Sequence, residues 1–205
     1  MKTDYIQMIL SSKFGIQETY SKEQLQEISS LTINRFDVVG DFLTIEPEEL
    51  LQFPNLKRLA LDQCVLGDDF ISILAQLKFL ESLSLYNCEF MGNASEIFHM
   101  PYLKRILLDG TEIPLSYLSD GMFTSIILSN ITIEDDVFFY ADEVNIRNAD
   151  VINYSFLKSK IGKLIVSESQ YHNSNELQNY ISYIEVRDDT DPETVVEEVN
   201  HSWEC

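Results

Sequence analysis

Three stretches of the chain carry one pattern of apolar and polar positions. They are Leu56-Lys-Arg-Leu-Ala-Leu-Asp-Gln-Cys64, Leu80-Glu-Ser-Leu-Ser-Leu-Tyr-Asn-Cys88 and Leu103-Lys-Arg-Ile-Leu-Leu-Asp-Gly-Thr111. The shared template is L-x-x-L-x-L-x-x-C/T, with another apolar residue two positions later. Extended in both directions it starts at Ile28, Leu56, Leu80, Leu103, Phe123, Ala141, Ile161 and Ile181, at intervals of 28, 24, 23, 20, 18, 20 and 20 residues. The fourth position holds Leu31, Leu59, Leu83, Ile106, Ile126, Val144, Leu164 and Ile184. The sixth holds Ile33, Leu61, Leu85, Leu108, Leu128, Ile146, Val166 and Val186. Alternation of this kind puts both side chains on one face of a short strand. One such strand cannot bury that face alone, so the pattern predicts successive copies stacked into a parallel sheet with a continuous core.

The eleventh position supports the register. Val38, Leu66, Phe90, Ile113, Ile133, Val151 and Tyr171 are apolar there, and the last copy breaks the series with Asp191. A terminal repeat with no neighbour beyond it has no need of that residue. Upstream, Ser21 with Gln24 predicts a capping box, and Tyr20 with Leu25 the accompanying hydrophobic staple. Tyr5, Ile6, Ile9 and Leu10 recur at helical spacing, so residues 1–27 read as a helical N-terminal cap. Residues 28–190 form the repeats. Residues 191–205 begin with Asp191-Pro192, a helix-start signal, and place Val195, Val196, Val199 and Trp203 as an apolar stripe. A C-terminal cap helix competes there with a disordered acidic tail, since residues 188–205 carry seven acids and no Lys or Arg.

Over roughly residues 28–190 the pattern resembles the leucine-rich repeat family, and the helical lead-in is similar to the N-terminal caps of bacterial members such as internalins. The resemblance implies an α/β fold: a curved solenoid with about eight short parallel strands on its concave side, turns or short helices on its convex side, and helical caps. It also implies that the ninth position bonds to turn backbone through Asn or Cys. Here that position holds Phe36, Cys64, Cys88, Thr111, Ile131, Ala149, Ser169 and Asp189, so the expected ladder is partial.

Composition narrows the class of partner. The 205 residues contain 34 Asp and Glu against 14 Lys and Arg, a formal net charge of −20. That balance argues against a nucleic-acid partner, which needs a basic footprint, and against docking on anionic membranes. No apolar run approaches the length of a membrane span and the N-terminus lacks a secretory h-region, which predicts a cytoplasmic protein. Cys64, Cys88 and Cys205 are too few and too odd in number for a disulfide framework. Cys64 and Cys88 share a repeat position; a disulfide between them is geometrically conceivable, and stacked reduced thiols are the preferred reading. His99, His172 and His201 lack ligand-spaced partners, and Asp188, Asp189 and Asp191 lack the rest of a calcium loop. No phosphate loop, zinc motif or nucleophile elbow occurs. The sequence therefore reads as non-catalytic, with no metal and no cofactor.

In the implied geometry the third, fifth and seventh positions project from the concave sheet. A cluster of Arg58, Tyr86, Arg105, Leu107, Ile127, Arg147, Ile165 and Arg187 falls there. Leu107, Ile127 and Ile165 are expected to supply exposed apolar area with Tyr and Arg around it, the composition of an interface hot spot. Eight of the 14 basic residues lie on or beside strands, whereas acids collect in the connections at Glu46, Glu48, Glu49, Asp68, Asp69, Glu134, Asp135 and Asp136. The expectation is a protein-interaction module that binds another protein through its concave face, with homo-oligomerisation as an added possibility. The alternative is an acidic inhibitor or immunity-type protein that blocks a basic target with its carboxylates.

Overall fold

The aliphatic pairs at the fourth and sixth positions lie on strands of one parallel sheet, except that Ile146 falls one residue beyond its strand. The computed structural model describes residues 5–34, 47–134, 137–173, 177 and 181–188. The main strands are β1 (Ser30–Asn34), β2 (Arg58–Asp62), β4 (Ser82–Tyr86), β6 (Arg105–Asp109), β7 (Met122–Ser129), β9 (Tyr140–Asn145), β11 (Lys160–Ser167) and β12 (Ile184–Arg187). They form an eight-stranded sheet in strict chain order. The short strands β3 (Val65–Leu66), β5 (Glu89–Phe90), β8 (Thr132–Ile133) and β10 (Asp150–Val151) pair two by two beside it, β3 with β5 and β8 with β10.

Register follows the template residue for residue. Leu31 pairs with Leu59, Leu59 with Leu83, Leu83 with Ile106, Ile106 with Ile126, Ile126 with Val144, Val144 with Leu164 and Leu164 with Ile184. A slip of one residue would carry every such side chain to the other face, so the apolar column fixes the pairing. Leu59, Leu61, Leu83, Leu85 and Leu108 have no exposed surface. Burying each stabilises by about 1.5–3 kcal/mol relative to leaving it in water.

Backbone hydrogen bonds repeat at both ends of the strands. Where strands begin, one carbonyl accepts from two consecutive N–H groups of the next repeat. Ser29 accepts from Lys57 and Arg58 (2.9 and 3.0 Å), Lys57 from Glu81 and Ser82 (2.7 and 3.0 Å), Glu81 from Lys104 and Arg105 (2.9 and 3.0 Å), and Lys104 from Thr124 and Ser125 (2.8 and 3.2 Å). Where strands end, the eighth position turns left-handed in four successive repeats, with φ of 54° at Gln63, 49° at Asn87, 58° at Gly110 and 50° at Asn130. Asn and Gly tolerate that conformation at little steric cost, so three of the four residues suit their place.

The ninth position works as a polar ladder only in part. The buried Cys88 N–H donates to Thr111 Oγ1 at 2.8 Å, and the Cys88 thiol donates to the Leu61 carbonyl at 3.4 Å. Beyond Thr111 the position holds the buried Ile131 and Ala149 and then the exposed Ser169, and the seventh repeat substitutes a different device. Gln170 Nε2 donates to the Ile146 and Ala149 carbonyls, both at 2.8 Å. Ser167 and Gln170 also bond reciprocally, Ser167 N to Gln170 Oε1 at 2.9 Å and Gln170 N to Ser167 Oγ at 3.2 Å. This S-x-x-Q pattern matches that of Ser21 and Gln24 and starts a helix, α5 (Glu168–Asn173).

The N-terminal helices form as the capping signals require. In chain order the other helices are α1 (Tyr5–Phe14), α2 (Lys22–Gln26), α3 (Asp68–Leu74) and α4 (Ser95–Phe98). The Ser21–Gln24 box is complete. Ile6 and Leu10 of α1 join the same core as the strands, with Tyr20 and Leu25 packed at its margin. The eleventh-position residues Leu66 and Ile133 are fully buried, while Phe90, Ile113, Val151 and Tyr171 are partly so. Phe36, Val38, Asp189 and the whole 191–205 segment lie outside the described residues.

The Thr111 hydroxyl is the acceptor for a buried N–H, and Val has the same shape without the oxygen. Thr111→Val is expected to lower unfolding free energy by about 1–3 kcal/mol in urea titrations, while Thr111→Ser retains most of it. Equal stability of the valine variant would remove the ninth position from the account.

Candidate functional site

The open strand face carries the third, fifth and seventh positions in three parallel rows. In the third row stand Arg58, Ser82, Arg105, Ser125, Glu143 and Lys163, each paired in register with the next. The strand register thus puts Arg58, Tyr86, Arg105, Leu107, Ile127, Ile165 and Arg187 on one side of the sheet, while Arg147 lies in the turn beyond β9. The structure does not make them the exposed apolar centre expected from the sequence. Leu107 is 4% exposed and Ile165 is 0% exposed, with Ile127 half-buried. Arg147, expected at the surface, is 5% exposed. Strands lie about 4.8 Å apart, so a fifth-position residue is hemmed in by the same row on both sides and by longer third- and seventh-position side chains along its own strand. Ala60, Ser84 and Asn145 are buried in that row for the same reason. Along its strands the face offers to solvent Thr32 and Arg105, both exposed, with Arg58, Tyr86 and Ile127 half-buried.

Charge is also distributed differently from the expectation of cations on strands and acids in connections. Glu143, Glu185, Asp62 and Asp109 share the open face with the arginines. Lys163 Nζ lies 3.0 Å from Glu143 and 2.7 Å from Glu185, and Glu185 also takes Arg187 Nε at 2.6 Å. The C-terminal end of the face is therefore an ion-pair chain rather than a free cationic patch. The Lys163 ammonium is held above its ordinary value, first by its hydrogen bond to Glu185 and then by Glu143. The Glu185 carboxyl is held below its ordinary value by Lys163 and then Arg187. Burial pushes the Tyr86 hydroxyl up.

The lysines gather on the rim where the strands begin. Lys57, Lys78, Lys104, Lys158 and Lys160 are five of the nine in the chain, and all five are exposed. Strands β7, β9 and β11 run three residues further upstream than the pattern predicts and put Met122, Tyr140 and Lys160 in one register row. Lys160 Nζ stands 5.3 Å from the centre of the Tyr140 ring, and Phe138 meets that ring edge-on at 5.4 Å. Lys104, Met122, Tyr140, Lys158 and Lys160 line a hollow of about 800 Å³. The sequence reading missed this rim. Its signal was the residue just before four successive repeat starts: Phe79, Tyr102, Met122 and Tyr140 are large and apolar. On the opposite rim, where the strands end, Asp68, Asp69, Glu89, Glu112, Glu134 and Asp150 are exposed.

Cys64 and Cys88 occupy neighbouring turns, and both are free thiols. The adjacent Cys88 thiol, burial and the Asp62 carboxylate push the Cys64 thiol well up. A thiol so shifted is a poor nucleophile at neutral pH. Among the described residues no group of three His, Cys, Asp or Glu side chains is placed to hold a metal ion. Nor is any helix there long and apolar enough to cross a membrane. No protein-family model and no curated protein matches the chain. The functional reading therefore rests on the geometry of the sheet.

Because the folded-state value of Glu185 is depressed, its pairing stabilises the protein at pH values above the ordinary 4.5 and is lost as pH falls below it. Glu185→Gln is expected to cost about 1 kcal/mol or less at pH 7, given the partial exposure of the pair. The gap between variant and parent should close as urea titrations are taken below pH 4.5. A gap independent of pH would contradict the assignment.

Proposed function

We propose that the chain is a leucine-rich repeat solenoid acting as a non-catalytic interaction module, which grips another protein through its concave strand face in the cytoplasm. The observation that carries this reading is the eight-stranded parallel sheet in chain order, each strand in register with the next. A sheet of that kind presents fixed rows of side chains on one broad face. On its central strands Arg105 is exposed and Tyr86 and Ile127 are half-buried, and Arg and Tyr are residue types that anchor interfaces. Ala60, Ser84 and Leu107 are buried in one register row of the same face.

A second reading, an acidic inhibitor of a basic target, is favoured by one observation. The exposed carboxylates of the trailing rim, Glu89, Glu112, Glu134 and Asp150, form a row unbroken by any lysine at those positions. The two readings differ in surface and in salt response.

The paired substitution Arg105→Glu with Ile127→Thr tests the first reading. Affinity capture from native lysate is expected to lose its specific partner by roughly 10- to 100-fold, the size typical of anchor residues. The melting temperature of the variant should match the parent. Equal capture by the double variant, together with steep loss of capture in salt, would transfer the function to the acidic rim.

A further inference from the structure

Both rims of the sheet carry exposed apolar side chains, and their charges are opposite. On the leading rim Met122 is 67% exposed, in line with Phe79, Tyr102 and Tyr140. Phe79 and Tyr102 lie 6.1 Å apart, ring to ring, and the lysines flank the row. On the trailing rim Met91 is 64% exposed and Ile152 65%, with Val65 beside them, and the row is flanked by Glu89, Glu112, Glu134 and Asp150. Lys57 is paired with Glu81 on this edge at 2.8 Å and Asp142 lines the hollow, so the cations the edge presents are Lys78, Lys104, Lys158 and Lys160. The complement of that edge is an acidic border around aliphatic side chains, which is the composition of the other edge. The leading row takes the residue before four successive repeat starts, so its side chains recur at the strand spacing of about 4.8 Å, whereas the trailing side chains come from the tenth and twelfth positions of several repeats.

We propose that the leading rim of one molecule docks on the trailing rim of a second copy, head to tail along the strand direction. Each contact leaves one free rim at either end, so the interface is heterologous and assembly continues past the dimer unless it closes into a ring. The open strand face stays clear of the contact, which makes this inference independent of the partner-binding role given to Arg105. Net repulsion between copies opposes association at long range. At physiological ionic strength it is screened beyond about 8 Å, so the short contacts between rims decide the outcome. Association is accordingly weak and depends on concentration.

Sedimentation velocity at 0.15 M salt, from about 10 µM to 1 mM protein, spans the range in which such an interface acts. The parent protein is expected to grow in mass beyond a dimer. Lys104→Glu with Lys160→Glu, and separately Glu89→Lys with Glu112→Lys, should each weaken association by roughly ten-fold or more. Each variant keeps one intact rim. An equimolar mixture of the two should recover association, because the intact rims still match and the two reversed rims now carry charges opposite to each other. A parent that stays monomeric throughout would overturn the proposal, as would growth that stops at a two-fold dimer or association unchanged in both variants. Binding to phosphatidylserine vesicles by a monomeric parent, lost with Lys104→Glu and Lys160→Glu, would also overturn it and assign the leading rim to an anionic lipid surface.

Discussion

The structure depends on one constraint: parallel strands held in residue-for-residue register by a column of aliphatic side chains. Because the fourth and sixth positions must face the core, no strand can slip by one residue without exposing its share of it. The backbone reinforces the choice at both ends. At β2, β4, β6 and β7 a single carbonyl takes two N–H donors where the repeat enters the sheet, and a left-handed residue takes the chain out where the strand ends. All else is positioned by that column. The third, fifth and seventh residues can only form rows on the open face, and the residues just outside the strand can only form rims.

Most of the fold was legible because each repeat states the same local rule. The aliphatic pairs, the eleventh-position residues and the Ser21–Gln24 box are signals of sequence spacing, and spacing survives into structure. The Ser167–Gln170 pair obeys the same S-x-x-Q rule as that box, and it was readable but overlooked. Helix α5 and the two bonds from Gln170 to the preceding turn follow from it. The ninth-position ladder fades after Thr111 because later repeats fill the site with Ile131 and Ala149, which pack but cannot accept a hydrogen bond.

The candidate site was less legible, since exposure depends on neighbours that alternation does not describe. Ile165 and Leu107 point away from the core yet are covered, because a strand on either side leaves no room for water between rows. Arg147 sits in that same dense region. The register sets Glu143 and Glu185 beside Lys163, and Glu185 also takes Arg187 two residues on along its own strand. Conversely, the extra upstream residues of β7, β9 and β11 lie before the template begins, so a pattern anchored on its first leucine could not see Met122 and Tyr140 as a row. Charge polarity exists in this molecule, and it runs between the two rims at least as strongly as between the faces.

The most direct measurement of the register is cross-strand disulfide trapping, with Cys64, Cys88 and Cys205 replaced by serine. Ser125 and Glu143 are paired third-position residues on β7 and β9. Cysteines placed there would have Cα atoms about 4.8 Å apart, within bonding range. Ser125 and Asn145 are offset by two residues, about 8 Å, which is too far. Mild oxidation of the folded protein is predicted to close Ser125→Cys with Glu143→Cys rapidly and to leave Ser125→Cys with Asn145→Cys open. Closure of the offset pair at the same rate would contradict the register, and with it every row and rim described above.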